Sequence, residues 1–245
     1  MNVIETSRLG KRYRLSWALR DCTLAVPGGH IVALVGPNGA GKTTLLTMAV
    51  GLTRPTAGAL TVLGGEPPGS PDALDHIGFV AQDAPLYRNV PVRDMLHLAG
   101  NLNRRWDQRR ASDRLGQLEI PLRQKVGELS GGQKAQLALT IALARHPALL
   151  VLDEPLAALD PVAREDFLAA VVAAATGDGI SVVLSSHVLA ELERVATYLV
   201  VLARGQVRVA GTVPELLASH GAGLEEIALR HLRAGVPSSR TEAGQ

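Results

Sequence analysis

A glycine-rich segment at residues 36–44, GPNGAGKTT, constrains the fold of this chain more than any other feature of its sequence. It follows an apolar run at residues 31–35, typical of a buried strand, and leads into a helix predicted from Lys42 to about Val50. The pattern G-x-x-x-x-G-K-[ST] in this strand–loop–helix context predicts a phosphate-binding loop. Its glycines let the backbone curl so that successive N–H groups face one anion at the positive end of the helix dipole. The residues predicted to bind nucleotide here are Gly36, Pro37, Asn38, Gly39, Ala40, Gly41, Lys42, Thr43 and Thr44.

Two side chains of this loop carry its predicted chemistry. Lys42 is expected to reach the β- and γ-phosphates of ATP, and Thr43 is expected to place its hydroxyl on Mg²⁺. The alternative is a glycine-rich turn that happens to contain a lysine, but the strand before it and the helix after it favour the phosphate-binding loop. The sequence therefore predicts ATP and Mg²⁺ as cofactors.

An acidic pair ends a second apolar run, ALLVLDEP at residues 148–155. Asp153 suits the Mg²⁺ shell through its water network. Glu154 follows where the strand ends, so its carboxylate can polarise an attacking water as a general base. Both acids could instead be solvated charges at a strand end. An apolar run leading into Asp-Glu-Pro in a chain with a phosphate-binding loop favours the catalytic interpretation.

The segment LSGGQ at residues 129–133 allows two interpretations. Ser130 and Gln133 match a capping box for a helix running to about Arg145, a form that residues 212–215 share without an assigned function. Gly131 and Gly132 are unfavourable in a first helical turn, which suggests that something approaches the backbone closely. An exposed helix N-terminus with a serine hydroxyl would be a second anion site.

Taken together, these motifs resemble those of the ABC ATPase family, in order and approximate spacing, over residues 1 to about 220. The resemblance implies an α/β fold: a P-loop NTPase core with a mainly parallel sheet, an antiparallel β subdomain and an inserted α-helical signature subdomain at about residues 83–146. A C-terminal helix and a disordered tail are expected at residues 221–245, and the polar ending at residues 236–245 agrees with such a tail.

The resemblance also assigns roles to single residues. Gln82 matches the Q-loop glutamine, which senses Mg²⁺ or water and faces the membrane subunit. His187 matches the switch histidine that contacts the γ-phosphate, and Asp160 matches the D-loop aspartate. Tyr13 matches the aromatic residue that stacks on adenine, with Trp17 as a nearby competitor.

In this family, two cassettes form a head-to-tail dimer in which Ser130 and Gly132 of one subunit would close over ATP held by the other. Gly131 and Gln133 belong to the same signature surface. A homodimer satisfies this arrangement, and a paired homologous chain would also do so. The family often has a serine in the D-loop where this chain has Ala157, so the chain lacks the hydroxyl that the resemblance would use for communication between sites, while the Mg²⁺ and general-base assignments are unaffected.

Secondary-structure patterns support the α/β expectation. Strands are predicted at residues 17–26, a strand pair at residues 60–63 and 77–80, and further strands at 149–152, 181–185 and 198–202. Between the two groups, helices are predicted at residues 92–101 and 107–118. Asp160-Pro161 is a favourable helix start.

Composition restricts the partners. With 25 Lys+Arg against 23 Asp+Glu the net charge is +2, which gives no overall bias toward nucleic acid. The cluster at residues 104–110 is interpreted as a solvated helical face, so no nucleic acid is expected. Cys22 is the only cysteine, which excludes an internal disulfide and favours a reducing cytoplasm.

The amino terminus lacks the pattern of a signal peptide, and the most apolar region, residues 135–152, is interrupted by Arg145, His146 and Pro147. We therefore expect a cytoplasmic protein, peripheral on the inner face of the cell membrane, that works with a separate membrane-spanning permease. Export is favoured over import because residues 187–212 resemble exporter ATPases. The alternatives are a mechanical ABC ATPase outside transport and a nucleotide-binding module without turnover.

Overall fold

The computed structural model of the chain describes residues 1–83 and 85–233. The strands are β1 (Asn2–Tyr13), β2 (Ser16–Pro27), β3 (Ile31–Val35), β4 (Ala57–Val62), β5 (Ile77–Val80), β6 (Leu149–Leu152), β7 (Ser181–Ser186), β8 (Tyr198–Ala203) and β9 (Gln206–Thr212). The helices are α1 (Lys42–Ala49), α2 (Pro71–His76), α3 (Val92–Leu102), α4 (Gln108–Gln117), α5 (Gly131–Leu143), α6 (Pro161–Gly177), α7 (Val213–His220) and α8 (Leu224–Arg233), with short 3₁₀ helices at Val126–Glu128 and Leu189–Glu191. The predicted disordered ending at residues 236–245 lies outside the described residues.

The larger sheet has the strand order β5-β6-β7-β3-β8-β9. Neighbouring strands run parallel except β9, which is antiparallel to β8. Every residue of β3, β6 and β7 is buried, as expected of parallel strands that have a layer on both faces. The mainly parallel α/β core predicted from the sequence is confirmed. Since β3, β6 and β7 are adjacent and parallel, the segments that follow them emerge at one edge of the sheet.

A smaller antiparallel sheet has the order β2-β1-β4. Its apolar residues form one core with α1 and one face of the larger sheet, including Leu46 and Met48 of α1 and Leu34 of β3. The antiparallel β part of the predicted fold is therefore present, and it covers one side of α1.

The prediction that residues 60–63 and 77–80 form a strand pair is wrong. β4 pairs with β1, whereas β5 pairs with β6 in the larger sheet. The burial patterns give the reason: β4 is mostly exposed, which suits an antiparallel sheet with a solvent-facing side, while β5 is almost wholly buried. The glycine- and proline-rich residues 64–70 and α2 carry the chain from one sheet to the other.

The other face of the larger sheet packs against α5, α6 and α8, with Phe167 of α6 fully buried in this core. α3 and α4 form a third apolar cluster. Helix α5 contributes to two of these apolar clusters: Leu137 packs in the α3–α4 cluster, and Leu139 packs in the core between α6 and the larger sheet. α5 thus joins the helical part of residues 83–146 to the sheet, while the limits proposed for that subdomain stay a prediction.

The predicted helix starts are confirmed. Ser130 Oγ accepts a hydrogen bond from Gln133 N at 3.1 Å, and Gln133 Oε1 accepts one from Ser130 N at 3.0 Å, which is the capping box of α5. Asp160 Oδ1 accepts from Ala163 N at 2.9 Å and caps α6. Within residues 1–83 and 85–233, none of the helices combines the length and apolarity needed to cross a membrane.

Candidate nucleotide-binding site

The glycine-rich loop leaves the carboxyl end of β3 and enters α1 at Lys42. A Cβ atom at Gly36 would lie 2.1 Å from the backbone oxygen of Leu202, and at Gly41 2.7 Å from that of Ala18. Gly41 also has a φ of +106°, which L-residues rarely adopt. Close packing therefore requires glycine at both positions, and at Gly41 the backbone conformation requires it as well. The Lys42 ammonium folds back over the loop and donates to the carbonyl oxygen of Gly36 at 2.7 Å.

The acidic pair lies beside this loop, at the end of β6. Glu154 is 8% exposed, and its Oε1 lies 3.0 Å from the Lys42 ammonium. Its Oε2 lies 2.8 Å from Nδ1 of His187, which follows β7. The structure thus brings together a lysine, a glutamate and a histidine that are far apart in sequence.

The surroundings of Glu154 set its ionisation. Burial raises the pKa of its carboxyl, but hydrogen bonds from His187 and Lys42 together with their charges outweigh burial and hold the pKa below the ordinary value of 4.5. At neutral pH the group is a carboxylate, the form that a general base requires.

These groups border a cleft of about 490 Å³. Gln82 and Tyr13 also lie at its walls, so residues from both sheets and from the segment after β5 meet there. Tyr13 is 49% exposed, whereas Trp17 packs over Gly10 and lies near the guanidinium of Arg12. Of the two aromatic candidates, Tyr13 is the one at the cleft. The lining residues are Tyr13, Ala18, Asn38, Gly39, Ala40, Gly41, Lys42, Thr43, Thr44, Gln82, Glu154, Ala157 and His187.

The three residues predicted to hold Mg²⁺ offer the oxygen donors that this ion prefers. Thr43 and Gln82 line the cleft with a hydroxyl and an amide. Asp153 precedes Glu154, is 2% exposed and is not one of the residues that line the cleft. No group of three or more His, Cys, Asp or Glu side chains suited to a metal occurs among the described residues. The donor set fits Mg²⁺, which usually keeps several waters and binds substrate phosphates instead of a cage of protein ligands.

The signature residues lie elsewhere. Ser130, Gly132 and Gln133 line a second cleft of about 250 Å³, together with Asp160, and this cleft shares no lining residue with the first. A Cβ atom at Gly132 would lie 2.8 Å from Cβ of Ala163, so the close neighbour that requires a glycine there is the start of α6 in the same chain. Gly131 adjoins the carbonyl of Ala158. One chain therefore does not place its own signature surface over its own phosphate-binding loop.

One residue at the site was missed by sequence reasoning. Ser185, within β7, is fully buried and its hydroxyl contacts both Asp153 and the backbone of Glu154. The available signal was a polar residue in a strand, SVVLSS, whose centre is apolar.

A buried parallel sheet, a phosphate-binding loop and an acidic pair around one cleft define a P-loop nucleoside triphosphatase. The sequence pattern of the family described as ABC transporter matches residues 19–157. This chain belongs to the ABC transporter family, as an ATP-binding subunit with ATPase activity.

Curated relatives match most of the chain. The uncharacterized ABC transporter ATP-binding protein YxlF of Bacillus subtilis is 33% identical over 222 residues, 87% of this chain and 72% of YxlF. The molybdenum import ATP-binding protein ModC of Rhodobacter capsulatus is 36% identical over 81% of this chain but only 56% of ModC. The lantibiotic transport ATP-binding protein SrtF of Streptococcus pyogenes is 30% identical over 84% of this chain and 89% of SrtF.

Solved structures agree with the fold. An ATP-binding subunit of an ABC transporter superposes with a TM-score of 0.82 at 28% identity, covering 94% of this chain and 99% of that one. The ATP-binding cassette MJ0796, described as a dimeric post-hydrolysis state bound to ADP and Pi, gives 0.76 at 25% identity, covering 86% and 98%.

The ion pair between Lys42 and Glu154 should make the stability of the folded chain depend on pH. Glu154→Gln leaves the Lys42 ammonium without its carboxylate, so we expect the free energy of unfolding at pH 7, in nucleotide-free buffer, to fall by about 1–3 kcal/mol. Because the folded pKa of Glu154 is lowered, the wild-type advantage is complete above pH 4.5 and disappears as pH falls through the folded pKa.

Denaturant unfolding across pH 3–7 measures this difference. Glu165→Gln, at an exposed position on α6, is the matched control and should change stability by less than about 0.5 kcal/mol at each pH. A wild-type advantage over Glu154→Gln that stays constant down to pH 3 would contradict the role of the ionised carboxylate.

Proposed function

We propose that this chain powers transport through a separate membrane-spanning permease, using ATP binding and hydrolysis at two composite sites of a dimer. The observation that carries the proposal is the separation of the loop cleft from the signature cleft. Each cleft presents half of the groups that surround ATP, so a second cassette is needed to bring Ser130 and Gly132 to the phosphates bound near Lys42. The dimeric state described for MJ0796 supports this arrangement.

Within each site, we assign ATP binding to the loop and to Tyr13, and proton transfer to Glu154. A phosphate in the loop would attract the Lys42 ammonium, which lies 3.0 Å from Glu154. Glu154 would then lose part of the interaction that lowers its pKa and become a better base for water. His187 and Gln82 would contact the γ-phosphate and the attacking water from the walls of the cleft. Mg²⁺, held by Thr43, Gln82 and Asp153, would supply neutralisation of phosphate charge.

The roles of Glu154 are separable by one substitution. We expect Glu154→Gln to keep ATP binding within about threefold of wild type and to lose more than about 100-fold in the rate of phosphate release, because the amide preserves shape but cannot accept the proton. Binding of labelled ATP and steady-state phosphate release measure the two effects. Phosphate release at the wild-type rate would remove Glu154 from the catalytic role.

Mixed dimers test the composite site. Lys42→Ala damages the loop and Ser130→Arg places a bulky cation on the signature surface, so each variant alone should be nearly inactive. In a mixed dimer one site combines both damaged parts and the other combines both intact parts. Random mixing makes half of the dimers mixed, so activity should recover to about a quarter of wild type if sites turn over independently.

Coupling between sites could suppress this turnover, so ATP trapping per mixed dimer is measured alongside it. Each variant incubated with itself is the control, and subunit exchange is demonstrated with differently labelled chains. If exchange occurs and neither turnover nor one trapped ATP per mixed dimer is found, the shared-site arrangement is wrong.

We further propose that the permease docks beside the Gln82 segment. A cleft of about 370 Å³ lies there, lined by Asp83, Pro85, Leu86, Arg88, Val126 and Lys134. Tyr87 follows Leu86 in the chain and is 64% exposed. Phe79 of β5, just before this segment, does not add to the groove, because it packs against the core beneath the antiparallel sheet. The mixture of apolar and charged walls suits a short amphipathic helix.

Tyr87→Cys should therefore form a cross-link to a co-expressed permease carrying cysteines in its cytoplasmic loops. The native Cys22 is buried and does not compete for the reagent. Leu217→Cys, on α7 and 40% exposed, is the control position and should not cross-link. Consistent failure at Tyr87 in a complex that still shows permease-stimulated ATPase activity would overturn the docking site.

Two further parts of the proposal are the location of the chain and the direction of transport. We place the chain at the cytoplasmic face of the membrane, where ATP is available. Export stays a prediction, because ModC, named for import, and SrtF, named for lantibiotic transport, match similar shares of this chain, 81% and 84%. ATP-dependent flux into or out of inverted vesicles that carry the complex decides the direction.

A further inference from the structure

Ser185 occupies a central position in the larger sheet. β7 lies between β6, which ends in the acidic pair, and β3, which ends in the phosphate-binding loop. Along β7, Leu184 is paired with Leu152 of β6, so Ser185 stands level with Asp153 one residue further on. On its other side Ser185 is paired with Leu34 of β3. The residue therefore lies between the two strands that lead into the nucleotide site.

The hydroxyl of Ser185 makes two hydrogen bonds there. It donates to Asp153 Oδ1 at 2.7 Å and accepts from the backbone N–H of Glu154 at 2.8 Å. The side chain is fully buried, where unsatisfied polar groups are strongly unfavourable. A single hydroxyl thus satisfies a carboxylate that we assign to Mg²⁺ and the backbone of the residue that we assign as the base.

The backbone of Glu154 needs such support. Its φ is +47°, in the left-handed region that non-glycine residues avoid at a cost of about 1 kcal/mol or more. This conformation directs the Glu154 side chain toward Lys42 and His187. The hydrogen bond to the Ser185 hydroxyl restrains the backbone amide of Glu154.

A purely structural role for the hydroxyl is the competing explanation. The other buried serines of β7 have such roles, since Ser181 accepts from Gly29 N at 2.9 Å and Ser186 accepts from Val188 N at 2.9 Å. Neither of these contacts the acidic pair. Ser185 differs because both of its partners belong to that pair.

We propose that Ser185 is a positioning residue for ATP hydrolysis: its one hydroxyl sets the carboxylate of Asp153 and the backbone of Glu154 in register with each other. The inference rests on the function proposed above for Asp153 and Glu154. It deepens that function by adding a fully buried group that acts through the two acids.

Three substitutions separate positioning from packing. Ser185→Ala removes the hydroxyl, Ser185→Cys nearly preserves the volume with a much weaker hydrogen-bonding group, and Ser185→Thr preserves the hydroxyl. Ala and Cys should each lower kcat about tenfold, whereas Thr should stay within about threefold of wild type. The Mg²⁺ concentration for half-maximal binding of labelled ATP should rise several-fold for Ala and Cys. ATP binding in EDTA should stay within about twofold, because the loop is unchanged.

Ser181→Ala is the matched control, since it removes a buried, hydrogen-bonded serine from the same strand at the end away from the site. It should lower the melting temperature but leave kcat and the Mg²⁺ dependence within about twofold of wild type. A structural role for Ser185 predicts the same result for Ser185→Ala and Ser185→Cys, and that result would overturn the proposal. If the Ala variant does not fold, the Cys variant decides.

Glu154→Gln is measured in parallel so that the two proposals can fail separately. If this variant releases phosphate at the wild-type rate, the assigned chemistry is wrong and the Ser185 inference falls with it. If Glu154→Gln is inactive while Ser185→Ala and Ser185→Cys keep the wild-type kcat and Mg²⁺ dependence, only the positioning role is wrong. The positioning role is supported if Ser185→Ala and Ser185→Cys lower kcat and raise the Mg²⁺ concentration for half-maximal ATP binding while Ser185→Thr retains both properties.

Discussion

The parallel alignment of β6, β7 and β3 is the constraint on which the site depends. Three adjacent strands that run in the same direction bring their carboxyl ends to one edge, and each is followed by a different part of the chemistry. The phosphate-binding loop follows β3, the acidic pair follows β6 and His187 follows β7. Because all three strands are buried on both faces, none can shift without disturbing two cores, so the separation of these groups is held by packing.

Opposite charges also stabilise the site that these strands position. Glu154 would be poorly tolerated in a buried position by itself, and Lys42 at the start of α1 and His187 after β7 compensate its charge. The same contacts lower the pKa of its carboxyl and so make it a weaker base. In the mechanism that we propose, a bound phosphate would alter this ion pair, so that nucleotide binding and the basicity of Glu154 would be linked through a single lysine.

The division of the molecule into two clefts has a physical origin. α5 carries the signature residues at its N-terminus and packs between the α3–α4 cluster and the main core, so that end lies against the start of α6. Gly132 is a glycine because Ala163 approaches it within the chain, and Ser130, Gly132 and Gln133 line a cleft of their own. This arrangement agrees with the composite dimer site that we propose.

The sequence by itself determined the features that depend on short segments. The phosphate-binding loop, the acidic pair, the helix caps at Ser130 and Asp160 and the buried strand before the loop were all predictable, because local patterns specify them. Tertiary structure alone decided that residues 60–63 and 77–80 join different sheets and that Ser185 links the two acids. It also places Tyr13, which the resemblance had favoured over Trp17, at the cleft. The reason is that register between strands distant in sequence is set by burial on both faces of the sheet, which a single segment does not encode.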